Sequence, residues 1–149
     1  MRLALYQPDI PQNAGTLIRL GACLGAPIDI IEPAGFPLSD RAFRRAGMDY
    51  IEQANVSRHL SWERFNSARV QARQRLVLLT TRGSVPYTQF AFEPDDILLL
   101  GRESSGVPEE VHAAVDGRVV IPLQAGARSL NVAVAAAMVL GEALRQTAG

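Results

Sequence analysis

Short apolar runs of strand length recur at residues 3–6, 28–31, 76–79, 97–100 and 119–121. Most are too continuously apolar for a sheet with one wet face, so they predict parallel strands buried on both sides. Between them, helical patterns cover residues 13–24, 40–46, 62–72, 108–114 and 130–146. This alternation predicts an α/β fold, a mostly parallel sheet with helices on both faces. Residues 33–37 and 83–94 are the least regular segments, and no repeat or linker interrupts the pattern. The last helix is the most distinctive: an apolar run from Val132 to Leu140 follows directly on Arg128-Ser129-Leu130-Asn131. Ser129 is the expected N-cap of that helix.

With 149 residues and 48% hydrophobic content, the chain fits one domain over residues 1–149 with a single buried core. The formal charge is zero, yet all 15 basic residues are arginine. That bias suits bidentate contact with phosphate or carboxylate, and genomic base composition would produce it equally well. Cys23 is the single cysteine, which excludes an intrachain disulfide and a thiol-rich metal site. Acidic residues are scattered rather than clustered, so no metal is implied. Residues 1–10 carry Arg2, Gln7 and Asp9 and lack the apolar core of a signal peptide, and no run approaches the ~20 residues of a membrane span. A cytoplasmic location with no membrane partner is the expectation.

In open α/β sheets, ligands bind beyond the carboxyl ends of the strands. Three segments in that position carry polar residues and glycine: residues 8–15 leading to a helix that holds Arg19, Gly101-Arg102-Glu103-Ser104-Ser105-Gly106, and residues 122–131. Each has a purely structural reading. Asn13 serves as a cap, Arg19 as a solvated helix residue, and the glycines and Pro108-Glu109-Glu110 as a strand-to-helix turn. As functional elements they form backbone cradles, since glycine lets main-chain groups approach a ligand. Neither a Walker A motif nor G-x-G-x-x-G is present, which argues against nucleoside triphosphate and ordinary dinucleotide binding.

Taken together, Pro11-x-Asn13-x-Gly15-x-x-x-Arg19, Leu99-x-Gly101-x-Glu103-x-x-Gly106-x-Pro108, and Ile121-Pro122 with Arg128-Ser129-Leu130-Asn131 resemble the three motifs of SPOUT-class RNA ribose methyltransferases, in the right order and over nearly the whole chain. Within that class, Ile30-Ile31-Glu32-Pro33-x-Gly35-Phe36 and Arg44-Arg45-Ala46-Gly47-Met48-Asp49-Tyr50 resemble the TrmL (YibK-like) subfamily of tRNA (cytidine/uridine-34) 2'-O-methyltransferases. The resemblance implies a deep trefoil knot in the C-terminal half, which general topology rules would have argued against. It also implies S-adenosylmethionine as methyl donor, touched by Leu79, Gly101, Ile121, Ser129 and Leu130, mostly through main chain. Arg19 is implied as the residue tied to activating the ribose hydroxyl. Because a guanidinium is a poor base, stabilisation of the developing alkoxide or phosphate anchoring suits it better than proton abstraction. Asn13 and Glu103 are assigned to shaping the catalytic site and fixing Arg19 or a neighbouring subunit. Relatives often continue the third motif with Leu-Ser-Asn and carry a later tyrosine, where this chain has Val132, Ala133, Val134 and Gly141.

From Arg41 to Arg75 there are eight arginines (41, 44, 45, 58, 64, 69, 73, 75) against Asp49, Glu52 and Glu63. This local excess is a candidate phosphate-binding patch, with Arg41, Arg44, Arg45 and Arg58 as RNA contacts, or else a solvated helix face. His59 reads as exposed, His112 as helix surface and Trp62 as core. The resemblance implies an obligate homodimer acting on the tRNA anticodon stem-loop, and the Gly- and Ala-rich helices over 15–25 and 132–144 suit close helix packing. The alternatives are the same chemistry at another tRNA position or on ribosomal RNA, and a non-catalytic RNA- or nucleotide-binding module.

Overall fold

The computed structural model describes residues 1–37, 39, 41–47, 54–83 and 85–148. Asp40, Met48, Asp49, Tyr50, Glu52 and Ser84, which the readings above used, lie outside the described residues. The elements in chain order are β1 (Arg2–Tyr6), α1 (Pro11–Leu24), β2 (Ile28–Ile31), α2 (Arg41–Gly47), β3 (Val56–His59), α3 (Trp62–Gln71), β4 (Leu76–Leu79), β5 (Val85–Pro86), β6 (Ile97–Leu100), α4 (Glu109–Ala114), β7 (Gly117–Val120) and α5 (Val132–Thr147). A single 3₁₀ turn, Tyr87–Gln89, follows β5.

The strands form one sheet in the order β3-β2-β1-β6-β4-β7-β5, and every pairing is parallel. Its centre is the most apolar part: all four residues of β6 are buried, as period-two side chains must be when both faces are covered. Leu3, Leu5, Leu98 and Leu100 point to one face, where α1 (Leu17, Ile18) and α5 (Ala136, Val139, Leu140) pack with Phe43 of α2. Ala4, Tyr6, Ile97 and Leu99 point to the other, where they meet Trp62 and Phe65 of α3 and Val111 of α4. The expected two-faced architecture is therefore observed.

Several boundaries differ from the sequence reading. α1 starts at Pro11 rather than Asn13, because proline fits the first helical turn without losing a useful N–H. β3 and β5 were not anticipated. β3 carries Ser57 and Arg58 at the sheet edge, where one side is wet, and β5 is a two-residue edge strand ending in a proline. β7 runs over 117–120 rather than 119–121. α5 begins at Val132, and its cap is Asn131 rather than Ser129: the Asn131 Oδ1 accepts from the N–H groups of Ala133 (2.8 Å) and Val134 (3.2 Å).

The basic stretch is also less free than its sequence suggests. Arg69 is 7% exposed, donating to Asp116 at 2.6 Å, to the Ala114 carbonyl at 2.8 Å and to Asn66 at 2.8 Å. Arg75 pairs with buried Asp96 at 2.6 Å. Both are committed to structural pairs. His59, read as exposed, instead bonds Asp29 at 2.9 Å beside the Arg2–Asp29 pair.

Candidate active site

Chain direction on the sheet diverges between β1 and β6: β1 leads through α1 to β2 on one side, and β6 leads through α4 to β7 on the other. Loops leaving the carboxyl ends of the two strands consequently part and leave a crevice, the usual ligand position in such sheets. A cavity of about 650 Å³ opens there. Its apolar floor includes Leu78, Leu100, Val119 and Val139, and its rim is formed by residues 101–107 and 128–132.

The turn after β6 is tight enough to need glycine. A Cβ on Gly101 would lie 2.8 Å from the Gly106 main chain, and Gly106 itself sits at φ +65°. Backbone hydrogen bonds between Arg102 and Gly106 (2.9 and 2.8 Å) close it. The opposite wall is much looser. Among the described residues, the one backbone hydrogen bond with both ends between 121 and 131 runs from the Ala127 N–H to the Gln124 carbonyl, at 3.1 Å. Most amide and carbonyl groups of that wall thus have no backbone partner within the loop.

All five residues expected to hold the cofactor, Leu79, Gly101, Ile121, Ser129 and Leu130, line this one cavity, as do Asn13 and Glu103. They come from four separate stretches of chain. Asn131 ties two of these stretches together, since the Oδ1 that caps α5 belongs to the same amide whose Nδ2 donates to Asn13 Oδ1 at 3.0 Å. Asn13 in turn donates through Nδ2 to Glu103 Oε1 at 3.4 Å. The structural alternative for Asn13, a helix cap, is not what the structure shows: α1 has Ile10 at its cap position and no side-chain cap.

Asp9 completes the network. Its N–H donates to Glu103 Oε2 at 3.4 Å, its Oδ2 accepts from the Ser104 hydroxyl, and Arg102 Nε lies 3.6 Å from that oxygen. Asp9 Oδ1 and Arg102 Nε are buried without a hydrogen-bond partner among the described residues. Burial, and then the hydrogen bond with Asp9, raise the Glu103 carboxyl above the ordinary carboxylate range. The same contact with Glu103, helped by Ser104 and Arg102, holds Asp9 below it.

Arg19 does not line the cavity. It is exposed on α1, and six residues of helix leave it about 120° around the helix from Asn13. Arg41, Arg44 and Arg45 line a separate shallow depression of about 320 Å³ with Ser39. Arg58 sits apart, paired with Glu32 at 2.7 Å and still half-exposed.

The sequence reading missed two cavity residues of consequence. His112, read as helix surface, is 7% exposed and lines the cavity from α4. Burial, with Arg82 adding to it, lowers its pKa below the usual histidine value. Arg82 lies on the rim, paired with Glu109 at 2.7 Å. Only the apolar spacing of Val107 and Val111 hinted that α4 turns His112 inward.

A parallel α/β sheet with a glycine-closed turn and a main-chain-rich wall at its switch point is an arrangement in which α/β proteins hold ligands through main chain. The SpoU rRNA Methylase family model matches residues 1–141, and the chain belongs to that family. A relative from Beijerinckia indica, a tRNA (cytidine(34)-2'-O)-methyltransferase, is 69% identical over 144 residues, spanning 97% of this chain and 90% of its own length. A solved structure described as "Structural insights into the 2-OH methylation of C/U34 on tRNA" has 41% identity and a TM-score of 0.92, covering 97% of this chain and 94% of that one. The SpoU methyltransferase AviRb from Streptomyces viridochromogenes, solved with its cofactor AdoMet, has 28% identity and a TM-score of 0.89, covering 98% of this chain and 60% of AviRb.

Proposed function

We propose that the protein methylates the ribose 2'-oxygen of the wobble nucleotide, position 34, of tRNA, with S-adenosylmethionine as donor. The observation that carries this reading is convergence: residues 79, 101, 121, 129 and 130, far apart in the chain, meet in one cavity of a protein 69% identical to a tRNA (cytidine(34)-2'-O)-methyltransferase. The cavity suits such a donor on its own chemistry. It offers an apolar floor for a flat base and a wall of uncommitted main-chain groups for that base's polar edge. When bound, the donor supplies an electrophilic methyl group, and the protein's contribution is to hold the ribose hydroxyl in line and manage one proton. Ser129 and Leu130 hold the donor from the loop, and Asn13 and Glu103 shape the hydroxyl's side of the cavity.

Arg19 belongs to this reading as the group that stabilises the developing alkoxide, but from a second copy of the chain. Its place outside its own cavity supports that arrangement. So does the outer face of α5, where Val134 is 51% and Met138 38% exposed, and where Gly141 leaves open space for an approaching helix. Leu130 and Ile10, 40% and 39% exposed at the cavity mouth, extend the same apolar surface. A homodimer would bury it and give a chain this small a wider surface for the anticodon stem-loop. Arg41, Arg44 and Arg45 then meet RNA phosphates, with Arg58 a lesser contact because Glu32 already holds it. One domain over residues 1–149, a C-terminal trefoil knot through the loop at 121–131, and a cytoplasmic location complete the proposal. Among the described residues, no helix is long and apolar enough to cross a membrane, and no group of three or more metal-ligating side chains is found.

The test is incubation of the purified protein with S-adenosylmethionine and tRNA from cells lacking the activity, followed by ribose-methyl mapping. A new 2'-O-methyl at nucleotide 34 is expected. Methylation only at another position, or only of ribosomal RNA, would reject the substrate assignment, and cofactor binding without any methyl transfer would favour a non-catalytic module.

A further inference from the structure

Methyl transfer to a ribose hydroxyl releases a proton, and a guanidinium is a poor place to leave one. Among the described residues lining the cavity, Glu103 is the one carboxylate, and His112 is the one other uncharged or weakly acidic group that could serve as a base near neutral pH. His112 sits on α4, where the guanidiniums of Arg82 and Arg118 oppose its protonated form. Glu103 stands between Asp9 and the Asn13–Asn131 pair, and among the described residues no guanidinium is a cause of its raised pKa.

We propose that Glu103 accepts the proton of the ribose 2'-hydroxyl, and that Asp9 is the positioning residue that holds the Glu103 carboxylate for this task. The proposal rests on the reading of the cavity as a 2'-O-methyltransferase site. In the step, the hydroxyl O–H bond breaks and its electron pair forms the new O–CH₃ bond. The S–CH₃ bond breaks with its pair remaining on sulfur, and the proton goes to a Glu103 oxygen. The sulfonium charge disappears as the proton arrives, so the net charge of the cavity is unchanged.

Three observations carry the assignment. Each Glu103 oxygen already receives a long N–H contact, from Asn13 Nδ2 and from the Asp9 amide, both at 3.4 Å, which fixes the direction of the carboxylate while leaving lone pairs open. Such contacts are commonly long before substrate is bound. Among the described residues Asp9 Oδ1 is buried without a hydrogen-bond partner, and Asp9 is one of the groups that raise the Glu103 carboxyl, after its burial. A protonated Glu103 thus finds an acceptor waiting. Asp9 in turn is held by Ser104, by Arg102 at 3.6 Å and by the loop around Gly35, whose N–H donates to the Pro8 carbonyl at 2.8 Å and where a Cβ would come within 2.9 Å of Asp9 Cβ. Burial beside Asp9 makes Glu103 a stronger base than an exposed glutamate, as a proton acceptor working near neutrality requires.

The test combines single-turnover methylation against pH, calorimetric binding of S-adenosylhomocysteine, and ¹³C-carboxyl NMR titration of the substrate-free protein, on the wild type, Glu103→Gln and Asp9→Asn. The wild type should show an acidic limb in its rate profile and a Glu103 resonance titrating above the usual ~4.3. Glu103→Gln should lose the limb and about 10²–10⁴-fold in rate while keeping cofactor affinity. Asp9→Asn should move both the limb and the resonance to lower pH, a shift that a merely structural Asp9 would not produce. Turnover of Glu103→Gln within a few-fold of wild type, a rate loss matched by an equal loss of cofactor affinity, or a Glu103 that titrates normally would each overturn the proposal. If Glu103→Gln does not fold, the titration in wild type and Asp9→Asn decides. A wild type that methylates no RNA would reject the functional reading itself, and active wild type with an unimpaired Glu103→Gln would reject the proton assignment alone.

Discussion

The wall of the cavity built from the ends of β1 and β6 is held by side chains, whereas the wall built from residues 121–131 is held by almost nothing of its own. On the first, Asp9, Asn13, Glu103 and Ser104 bond one another across as many as 95 residues of sequence, and Asn131, the last residue of the second, is tied to it through Asn13. On the second, a single internal backbone hydrogen bond spans eleven residues, and residues 124–131 are exposed throughout. The contrast separates two tasks. Chemistry on a hydroxyl needs groups fixed before substrate arrives, because reorganisation at the moment of reaction raises the barrier. Grip on a flat cofactor needs only main-chain groups that stay unpaired until it enters. The first wall is therefore sensitive to side-chain identity, and the second is sensitive to backbone path.

The largest effect that would sharpen this contrast belongs to Arg19, which neither wall contains. Arg19→Ala should lower turnover by about 10²–10³-fold, the size expected for removal of one charge-stabilising donor, while calorimetry shows cofactor affinity unchanged. Mixing it with a Glu103→Gln chain should restore part of the activity if the two residues meet across a dimer. Unchanged turnover in Arg19→Ala would remove it from the site.

A smaller effect sets the two walls directly against each other. Asn131→Ala removes the α5 cap, worth about 0.5–2 kcal/mol, and frees Asn13, so both the chemical-denaturation midpoint and the rate should fall. Ser129→Ala, two residues away on the loose wall, should leave stability unaltered and cofactor affinity within about threefold, since main chain does the holding there. Equal losses in the two variants would break the distinction.

The smallest effect is on pH dependence. The His112 pKa is lowered by burial, with Arg82 second, so the folded protein binds fewer protons there than the unfolded chain. Stability is then unaffected above the unfolded value near 6.5 and is lost progressively as the pH falls below it. Urea midpoints of His112→Leu should fall less between about pH 6.5 and 5 than those of the wild type. An identical slope in both would show that His112 is not the group responsible.

The sequence made the central sheet legible because residues 3–6, 76–79 and 97–100 are continuous apolar runs and 28–31 is broken only by Asp29, as suits strands covered on both faces. It left β3 and β5 hidden because edge strands are wet on one side and tolerate Ser57, Arg58 and Pro86. The cap of α5 was misplaced because Ser129 and Asn131 are both good caps, and what distinguishes Asn131 is a contact with Asn13, 118 residues away. The cofactor residues were visible through motif resemblance, and the cavity brings them together. Asp9 was visible only as part of a polar segment, because its meaning lies in contacts with Glu103 and Ser104, more than 90 residues distant. His112 was misread because a short helix shows too few turns to reveal its inner face.

The account's central claim is that this cavity directs methyl transfer to one ribose of tRNA, and nucleotide-resolution mapping of 2'-O-methylation on tRNA treated with the purified protein and S-adenosylmethionine tests it most directly. The account predicts a single new methyl at position 34, absent without the protein. Methylation at any other nucleotide in its place, or bound cofactor with no methyl transferred to tRNA, would contradict it.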